Sequence, residues 1–386
     1  MKIEKKELEL YFHIPFCVKK CNYCDFLSAP CTREQQEAYM GALFAELEGR
    51  AAEYQDYTVV SVFIGGGTPS IIPEAGIAKL LRIVKEEYDL QENAEITIEV
   101  NPGTVDREKL QNYYQAGVNR LSIGLQSAEN RELQTLGRIH TYEQFLDTYS
   151  LARELGFTNI NVDVMSALPG QDLDSYRNTL YRVLNLQPMP EHISAYSLIV
   201  EEGTVFAKWE AEGKLDLPDE DSERHMYEET GRILETAGYH RYEISNYSLE
   251  GMECRHNCGY WTRKSYVGFG IGAASLVENI RFRNTDELKW YIENPLGCRE
   301  ELQVLSVEEQ MEETMFLGLR MTAGVSCEAF QAYFGKSLKQ VYGEVIDKNL
   351  ETGLLRFKEN EKGSYLQLTE KGLDVSNYVM SQFLFD

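Results

Sequence analysis

The alternation of short apolar segments with longer amphipathic ones constrains the fold of this chain most strongly. Six segments have the length and apolar pattern of strands, at 8–14, 59–64, 95–100, 119–125, 158–164 and 191–198. Amphipathic, helix-like segments lie between them, at 32–55, 73–88, 106–117, 141–156 and 173–187. Strand–helix units in series build a parallel sheet, so the sequence predicts an α/β fold, either a barrel or a doubly wound sheet.

Polar side chains occupy similar places at the ends of three predicted strands. Glu99 lies near the end of its strand, on the face opposite the apolar residues, and Gln126 and Asp163 take similar places in the next two strands. Each of them alone could be a polar cap that faces water. Ligands of parallel sheets gather beyond the carboxyl ends of the strands, so the three together indicate a binding site there.

A chain of 386 residues exceeds the size of one core, which stops growing at about 250–300 residues. From about residue 305 the pattern changes to helices, followed by a hairpin at 354–368 and a last helix at 369–385. We expect a core at 1–240, an extension at 241–304 and a mostly helical, winged-helix-like domain at 305–386. We interpret the last domain as a lid or a partner surface.

Charge and cysteine usage limit the partners and the compartment. The chain has 62 acidic and 38 basic residues, a formal net charge of −24, which repels phosphate backbones, so we expect no nucleic-acid partner. The eight cysteines do not form a disulfide framework for a chain of this size. Its apolar runs are too short to span a bilayer, and we expect a cytoplasmic protein.

Three cysteines with the spacing C-x3-C-x2-C, Cys17, Cys21 and Cys24, lie close together near the start of the sequence. Thiolates are soft ligands that select zinc, copper(I) or iron–sulfur clusters. A closed zinc site needs a fourth ligand, which His13 or Cys31 would have to supply. A [4Fe-4S] cluster held by three cysteines leaves one iron open, and the spacing alone does not decide between these two sites.

The segment "YFHIPFCVKKCNYCDF" resembles the radical S-adenosylmethionine (radical SAM) superfamily. Within it, the sequence is similar to the branch that contains the oxygen-independent coproporphyrinogen III oxidases and the related heme chaperones. The resemblance implies a partial (β/α)6 barrel, a [4Fe-4S] cluster on the three cysteines and S-adenosyl-L-methionine (SAM) on the open iron. One-electron reduction of SAM at such a cluster cleaves a carbon–sulfur bond.

The resemblance also implies which residues contact SAM. "FIGGGTPS" is neither a Walker A loop nor a Rossmann fingerprint, and without the family it would be an ordinary turn. In this superfamily the loop meets SAM, and carboxylate, amide and guanidinium groups complete the site. The residues carried over as contacts are Tyr11, Tyr23, Gly66, Gly67, Thr68, Glu99, Gln126, Arg138 and Asp163.

A second motif, H-N-x-x-Y-W, runs from His256 to Trp261. It resembles a signature associated with heme binding in the heme chaperones. Imidazole is a common axial ligand of heme, and aromatic rings offer a flat apolar surface to a porphyrin. Two other interpretations stay open: a histidine packed under aromatic residues, or a zinc site formed with the two cysteines of "CRHNC".

Departures from the oxidase pattern decide between the two branches. Phe26 stands where these oxidases have a further cysteine, and only ten residues precede Tyr11, too few for the oxidases' N-terminal arm. We therefore expect a [4Fe-4S]- and SAM-binding heme chaperone that delivers heme to an acceptor such as a respiratory cytochrome. One departure counts against this: Ala274 stands where heme chaperones often have a histidine.

Two alternatives remain: an oxygen-independent coproporphyrinogen III oxidase, which forms protoporphyrinogen IX, and a zinc-stabilised binding protein. The sequence leaves open whether the protein is an enzyme. It also leaves open whether the protein forms a homodimer and whether it makes peripheral contact with membrane respiratory proteins.

Overall fold

The computed structural model describes residues 5–385, and within them fifteen strands form two sheets. The strands are β1 (Lys6–Ile14), β2 (Tyr57–Gly66), β3 (Leu90–Val100), β4 (Arg120–Gln126), β5 (Ile160–Ser166), β6 (His192–Ser197), β7 (His240–Arg241), β8 (Asn246–Ser248), β9 (Tyr266–Phe269), β10 (Ala274–Val277), β11 (Ile280–Asn284), β12 (Arg299–Val304), β13 (Val325–Ser326), β14 (Leu355–Asn360) and β15 (Gly363–Leu368). Each of the six predicted strands is confirmed: β3 begins five residues earlier than predicted, and the ends of the other five differ by at most two residues.

The helices of the described residues follow the strands in the predicted alternation. They are α1 (Arg33–Arg50), α2 (Glu74–Glu87), α3 (Arg107–Ala116), α4 (Asn130–Thr135), α5 (Tyr142–Glu154), α6 (Leu173–Leu184), α7 (Val205–Ala211), α8 (Glu220–Thr236), α9 (Arg255–Trp261), α10 (Leu288–Glu293), α11 (Val307–Gly318), α12 (Cys327–Phe334), α13 (Leu338–Glu351), α14 (Glu370–Asp374) and α15 (Ser376–Ser381). Short 3₁₀ helices lie at Ala51–Tyr54, Pro69–Ile71 and Pro295–Gly297. No helix of residues 5–385 has the length and apolar character needed to cross a membrane.

The larger sheet contains the predicted parallel strands at its centre. Strands β1 to β6 pair in sequence order, and all five pairs are parallel. The sheet stays open because β9 pairs with the free edge of β1 and β8 pairs with the free edge of β6. The α/β class and the partial barrel of six strands are thus confirmed.

Side-chain alternation along the strands divides apolar from polar residues. On β4, Leu121 and Ile123 are fully buried in the main apolar core, whereas Arg120, Ser122 and Gln126 face a cavity on the other side. The helices bury apolar stripes in the same core, as Leu80 and Val84 of α2 do. The two faces of the sheet therefore differ in chemistry, and the polar face holds the candidate site.

Residues 241–304 lengthen the sheet at both edges. Strands β7 and β8 continue it beyond β6, and β9 to β12 continue it beyond β1. The sequence pattern does not predict these strands, because they are short and lack the alternation that marks a longer strand. The domain boundaries at residues 240 and 304 stay predictions.

The C-terminal domain has the predicted helices and the hairpin β14–β15, which joins β13 in a small antiparallel sheet. It has its own core, which includes Met315, Phe330 and Phe383. The single last helix predicted at 369–385 is wrong. Val375 leaves the helical conformation, with φ −122° and ψ 34°, and separates α14 from α15, whose Val379 packs into this core.

Candidate functional site

A cavity of about 600 Å³ lies at the carboxyl ends of the central parallel strands. We call it the cofactor cavity. It brings together residues that are distant in sequence, from the cysteine loop to β6. The predicted site residues that line it are Cys17, Cys21, Tyr23, Cys24, Gly66, Gly67, Thr68, Glu99, Gln126, Arg138 and Asp163. Tyr11 and His256 are the two predicted residues that do not line it.

The cysteine loop connects β1 to α1 and is held by backbone hydrogen bonds. The amide of Cys17 donates to the carbonyl of Ala29 at 3.1 Å, and the amide of Asn22 donates to the carbonyl of Leu136 at 2.9 Å. The three cysteines of the motif are half-buried and free of disulfides. These bonds hold the backbone of the loop in place, and all three cysteines of the motif line the cofactor cavity.

The two candidate fourth ligands of a closed zinc site do not line this cavity. The ring of His13 bonds through Nδ1 to the hydroxyl of Tyr11 at 3.0 Å and through Nε2 to the carbonyl of Leu27 at 2.8 Å. Cys31 Sγ accepts a hydrogen bond from Gln36 at 3.3 Å. Within the described range, no three or more His, Cys, Asp and Glu side chains are grouped to hold one metal ion. Three cysteines beside an open cavity fit a [4Fe-4S] cluster, in which each thiolate binds its own iron.

The glycine loop links the cysteines to a carboxylate. Gly66 has a φ of 109°, and a Cβ there would lie 2.5 Å from the ring of His13, so only glycine fits. Its amide donates to Glu99 Oε2 at 3.1 Å, and Thr68 Oγ1 donates to Cys17 Sγ at 3.4 Å. The loop therefore forms the wall of the cavity next to Cys17.

Two half-buried carboxyl groups face the cavity from β3 and β5, the strands on either side of β4. Burial, together with the nearby Asp163, raises the pKa of Glu99 to about 8. Burial also raises the pKa of Asp163, although Asn161 donates a hydrogen bond to its Oδ1 at 2.7 Å. Such carboxyl groups match a ligand that carries an amino group and hydroxyl groups, as SAM does.

Arg138 places a positive charge beside the cysteine loop. Its guanidinium donates to the carbonyl of Gly124 at 2.6 Å and to Asn101, and lies 3.8 Å from Cys21 Sγ. Its Nε is buried and has no partner among the described residues. A guanidinium in this place fits a carboxylate, or the negative charge of a cluster with its thiolates.

Sequence reasoning missed several polar residues of the same cavity. Arg120, Asn161, Tyr196 and Asn257 line it as well. Strand alternation could have found the first two, because Asn161 precedes Asp163 by two residues and Arg120 shares a face with the predicted Gln126. Tyr196 lies near the end of the sixth predicted strand, and Asn257 lies in the H-N-x-x-Y-W motif, but neither pattern indicates that these side chains line this cavity.

His256 lies behind the cofactor cavity and is almost fully buried, with 1% of its surface exposed. Its Nδ1 lies 2.9 Å from Ser61 Oγ, and its Nε2 lies 2.9 Å from the hydroxyl of Tyr260. Burial, and to a lesser degree Arg120, lowers its pKa to about 3, so the ring is neutral. Neither nitrogen is free for iron in this conformation, and the axial-ligand role stays a prediction.

Tyr11 lies in the same layer as His256. Its ring stacks on Phe63 with the centroids 6.3 Å apart, and its hydroxyl bonds to His13. Phe63 does line the cofactor cavity, so Tyr11 supports the wall from behind. Its contact with SAM also stays a prediction.

The thiols of "CRHNC" do not form a zinc site with His256. Cys254 Sγ donates to Glu95 Oε1 at 3.6 Å, whereas Cys258 lines a different cavity on the far side of α9. Burial raises the pKa of Cys258 to about 12, so it is a neutral thiol at neutral pH. This arrangement removes the support for zinc at the second motif.

Comparisons with known proteins agree with this geometry. The pattern of the radical SAM superfamily matches residues 11–182, and that of the HemN C-terminal domain matches residues 305–375. The heme chaperone HemW of Bacillus subtilis (strain 168) is 39% identical over 382 residues, which cover 97% of this chain and 98% of that protein. The chain belongs to the HemW family of radical SAM proteins.

Other members of the HemW family match over a similar length. The heme chaperone HemW of Lactococcus lactis is 37% identical over 383 residues, covering 99% of this chain and 98% of that protein. The HemW of Escherichia coli (strain K12) is 34% identical over 386 residues, covering 98% of each. Coproporphyrinogen III oxidase (HemN) from Escherichia coli, a solved structure, shares the fold with a TM-score of 0.83 and 24% identity. The match covers 98% of this chain and 90% of that one.

Replacing Glu99 by glutamine is expected to change the pH dependence of stability in the cluster-free protein. The pKa of Glu99 is about 8 in the fold and near 4.5 when unperturbed, so the fold favours the neutral acid. The contribution of Glu99 to the free energy of unfolding is fully present below the pKa that Glu99 has in the unfolded chain. It is lost as the pH rises through about 8. Glutamine cannot ionise. We therefore compare the unfolding free energy of Glu99→Gln with that of the unmodified protein at acidic pH and at about pH 8.5. Between these two pH values the difference should shift by about 1–3 kcal/mol in favour of the variant.

Urea denaturation at the two pH values measures this difference. Glu87→Gln, at an exposed position near the end of α2, serves as the control and should show no such gain. A Glu99→Gln variant whose relative stability stays the same at both pH values would mean that Glu99 is not held as a neutral acid.

Proposed function

We propose that this protein is a heme chaperone that binds a [4Fe-4S] cluster and SAM. It would bind heme and deliver it to an acceptor hemoprotein such as a respiratory cytochrome. The observation that carries the proposal is the cofactor cavity, where three cysteines, a glycine loop, two carboxyl groups and a guanidinium converge in a chain of the HemW family. We also propose that the protein is located in the cytoplasm.

The residues of the cavity have separate roles in this proposal. The three cysteines hold the cluster, and Arg138 offsets its negative charge beside Cys21. Glu99 and Asp163 accept hydrogen bonds from the amino and hydroxyl groups of SAM. Phe63 and Tyr196 close the wall and limit the access of water. When bound, the cluster and SAM supply one-electron chemistry, and the protein supplies orientation.

Phe26 supports the chaperone over the oxidase. It lines the cofactor cavity, and 60% of its surface is exposed. A phenylalanine offers no thiol at the position where the oxidases have a further cysteine. The relatives over the full chain also carry the name heme chaperone.

The second candidate is an oxygen-independent coproporphyrinogen III oxidase. The observation that favours it is the similarity of fold to HemN over nearly the whole chain, together with a cofactor cavity that holds the elements expected for radical SAM chemistry. Both candidate functions use the cluster and SAM. They differ in whether the protein binds and delivers heme or converts coproporphyrinogen III.

Two anaerobic assays on one reconstituted sample test the proposal. In the first, heme is titrated into the protein, and a Soret band that saturates at a fixed ratio is expected. In the second, coproporphyrinogen III is incubated with the protein, SAM and a reductant, and no protoporphyrinogen IX is expected. If coproporphyrinogen III is converted in the second assay and heme does not bind saturably in the first, the protein is an oxidase and not a chaperone.

A further inference from the structure

A second cavity, of about 570 Å³, lies between the extended sheet and the C-terminal domain. We call it the seam cavity. It is lined on one side by Trp261 and Leu276 and on the other by Phe330, Tyr333, Phe334 and Tyr365. A volume of this size is in the range of sites that hold a small molecule or cofactor. None of the residues predicted to contact the cluster or SAM lines it.

The C-terminal wall of the seam cavity is a cluster of aromatic rings on α12. The rings of Phe330 and Phe334 have centroids 4.6 Å apart, and Tyr333 meets Phe334 edge-on at 4.8 Å. Tyr333 is nevertheless 62% exposed. An exposed aromatic residue at the edge of a cavity is typical of a place that a ligand covers, and flat rings favour a flat ligand.

Trp261 brings an indole ring to the same cavity. Its Nε1 is buried and has no partner among the described residues. The donor therefore does not open into the cavity, and the indole can meet a ligand there only through the exposed part of its ring. Trp261 is the last residue of the H-N-x-x-Y-W motif, so this motif reaches the seam cavity through its tryptophan rather than its histidine.

Two arginines lie near Trp261, and each already pairs with a carboxylate of the protein. The guanidinium of Arg320 lies over the indole ring, 4.3 Å from its centroid, and its Nη2 lies 3.6 Å from Glu243 Oε2, outside the lining of the cavity. Arg263 lines the cavity and pairs with Glu313 at 3.0 Å. Aromatic walls with the guanidinium of Arg263 beside them match a flat, mainly apolar ring that carries a carboxylate at its edge.

We propose that the seam cavity binds heme, at a site separate from the cofactor cavity. The proposal rests on the proposed function, which supplies a planar ring with carboxylate groups as the ligand. Met321 and Tyr365 line the cavity and carry a thioether and a phenol, two side-chain types that serve as axial ligands of heme iron. His256 is then a buried residue that positions α9 on β2 through its bond to Ser61.

Filling the seam cavity tests the proposal with a matched pair of variants of the full chain. Ala329 is exposed on α12 and lines the cavity, whereas Ala332 is exposed on the same helix and does not line it. Hemin is titrated into the unmodified protein, Ala329→Trp and Ala332→Trp, and the Soret band is followed. Ala329→Trp should bind hemin about tenfold more weakly or worse, while Ala332→Trp should stay within about twofold of the unmodified protein.

The outcomes separate the location of heme from the function. Saturable hemin binding that is equal in all three proteins, or equally lost in both variants, overturns the seam cavity as the site and leaves the proposed function in place. If the unmodified protein binds no hemin, the proposed function itself fails. As a second readout, hemin should quench less tryptophan emission in Trp261→Phe than in the unmodified protein, and equal quenching would also contradict the location.

Discussion

Replacing Cys21 by serine is expected to abolish the iron–sulfur chromophore of the anaerobically reconstituted protein. The cysteine loop is held by backbone bonds to Ala29 and Leu136, so no other thiol is brought into the place of the lost ligand. A serine hydroxyl is a hard oxygen ligand and a poor substitute for a thiolate on iron. Iron and sulfide should fall from about four of each per chain to a small residue, and the absorbance of the cluster should fall with them.

Cys31→Ser is the matched control for this variant. Cys31 is also free and half-buried, it lies close to the motif in sequence, and it bonds to Gln36 instead of lining the cofactor cavity. The control should keep its iron, its sulfide and its absorbance. A cluster that survives in Cys21→Ser, or one that is lost equally in Cys31→Ser, would contradict the assignment of the three cysteines.

Replacing Gly259 by alanine is expected to destabilise the protein by about 1–3 kcal/mol, the second largest loss that we expect. Gly259 lies in α9, within the H-N-x-x-Y-W motif, and a Cβ there would lie 2.1–2.3 Å from the carboxyl group of Glu9. Glu9 is fully buried, and burial raises its pKa to about 8. The carboxyl group of Glu9 or the backbone of α9 therefore has to shift to make room for the methyl group.

Urea denaturation of Gly259→Ala measures the loss, and Gly41→Ala is the control. Gly41 lies inside α1 with nothing within 4 Å of the added Cβ, so alanine should stabilise that helix by about 0.5–1 kcal/mol. Adding Glu9→Ala to Gly259→Ala should recover part of the loss, because the second change removes the carboxyl group that causes the clash. A neutral Gly259→Ala variant would contradict the packing of α9 on β1.

The sequence predicts the central sheet and most of the cofactor cavity because both depend on local patterns. Period-two alternation marks the long parallel strands, and polar residues at strand ends, such as Glu99 and Asp163, collect at one edge of the sheet. The outer strands β7 to β12 could not be predicted in this way, because short strands form only when a neighbouring edge is present. The single helix expected at the C-terminus failed for a similar reason, since tertiary packing breaks it at Val375.

The residues of the second motif could not be assigned to one site from the sequence alone. Its residues read as one heme-binding unit along the chain, yet α9 distributes them over different environments. His256 enters the buried layer behind Phe63, Asn257 lines the cofactor cavity, and Trp261 lines the seam cavity. A helix of seven residues faces all of these places at once, and only the packing of its neighbours decides which residue meets a ligand.

A heme-transfer measurement decides whether the protein delivers heme or only binds it. The heme-loaded protein is mixed with an apo-cytochrome and, in a parallel sample, with an excess of a nonspecific heme scavenger. If the protein is a chaperone, heme should reach the apo-cytochrome faster than it reaches the scavenger, because transfer takes place in a complex of the two proteins. Equal rates would mean that heme simply dissociates into solution, and that result would contradict the chaperone function.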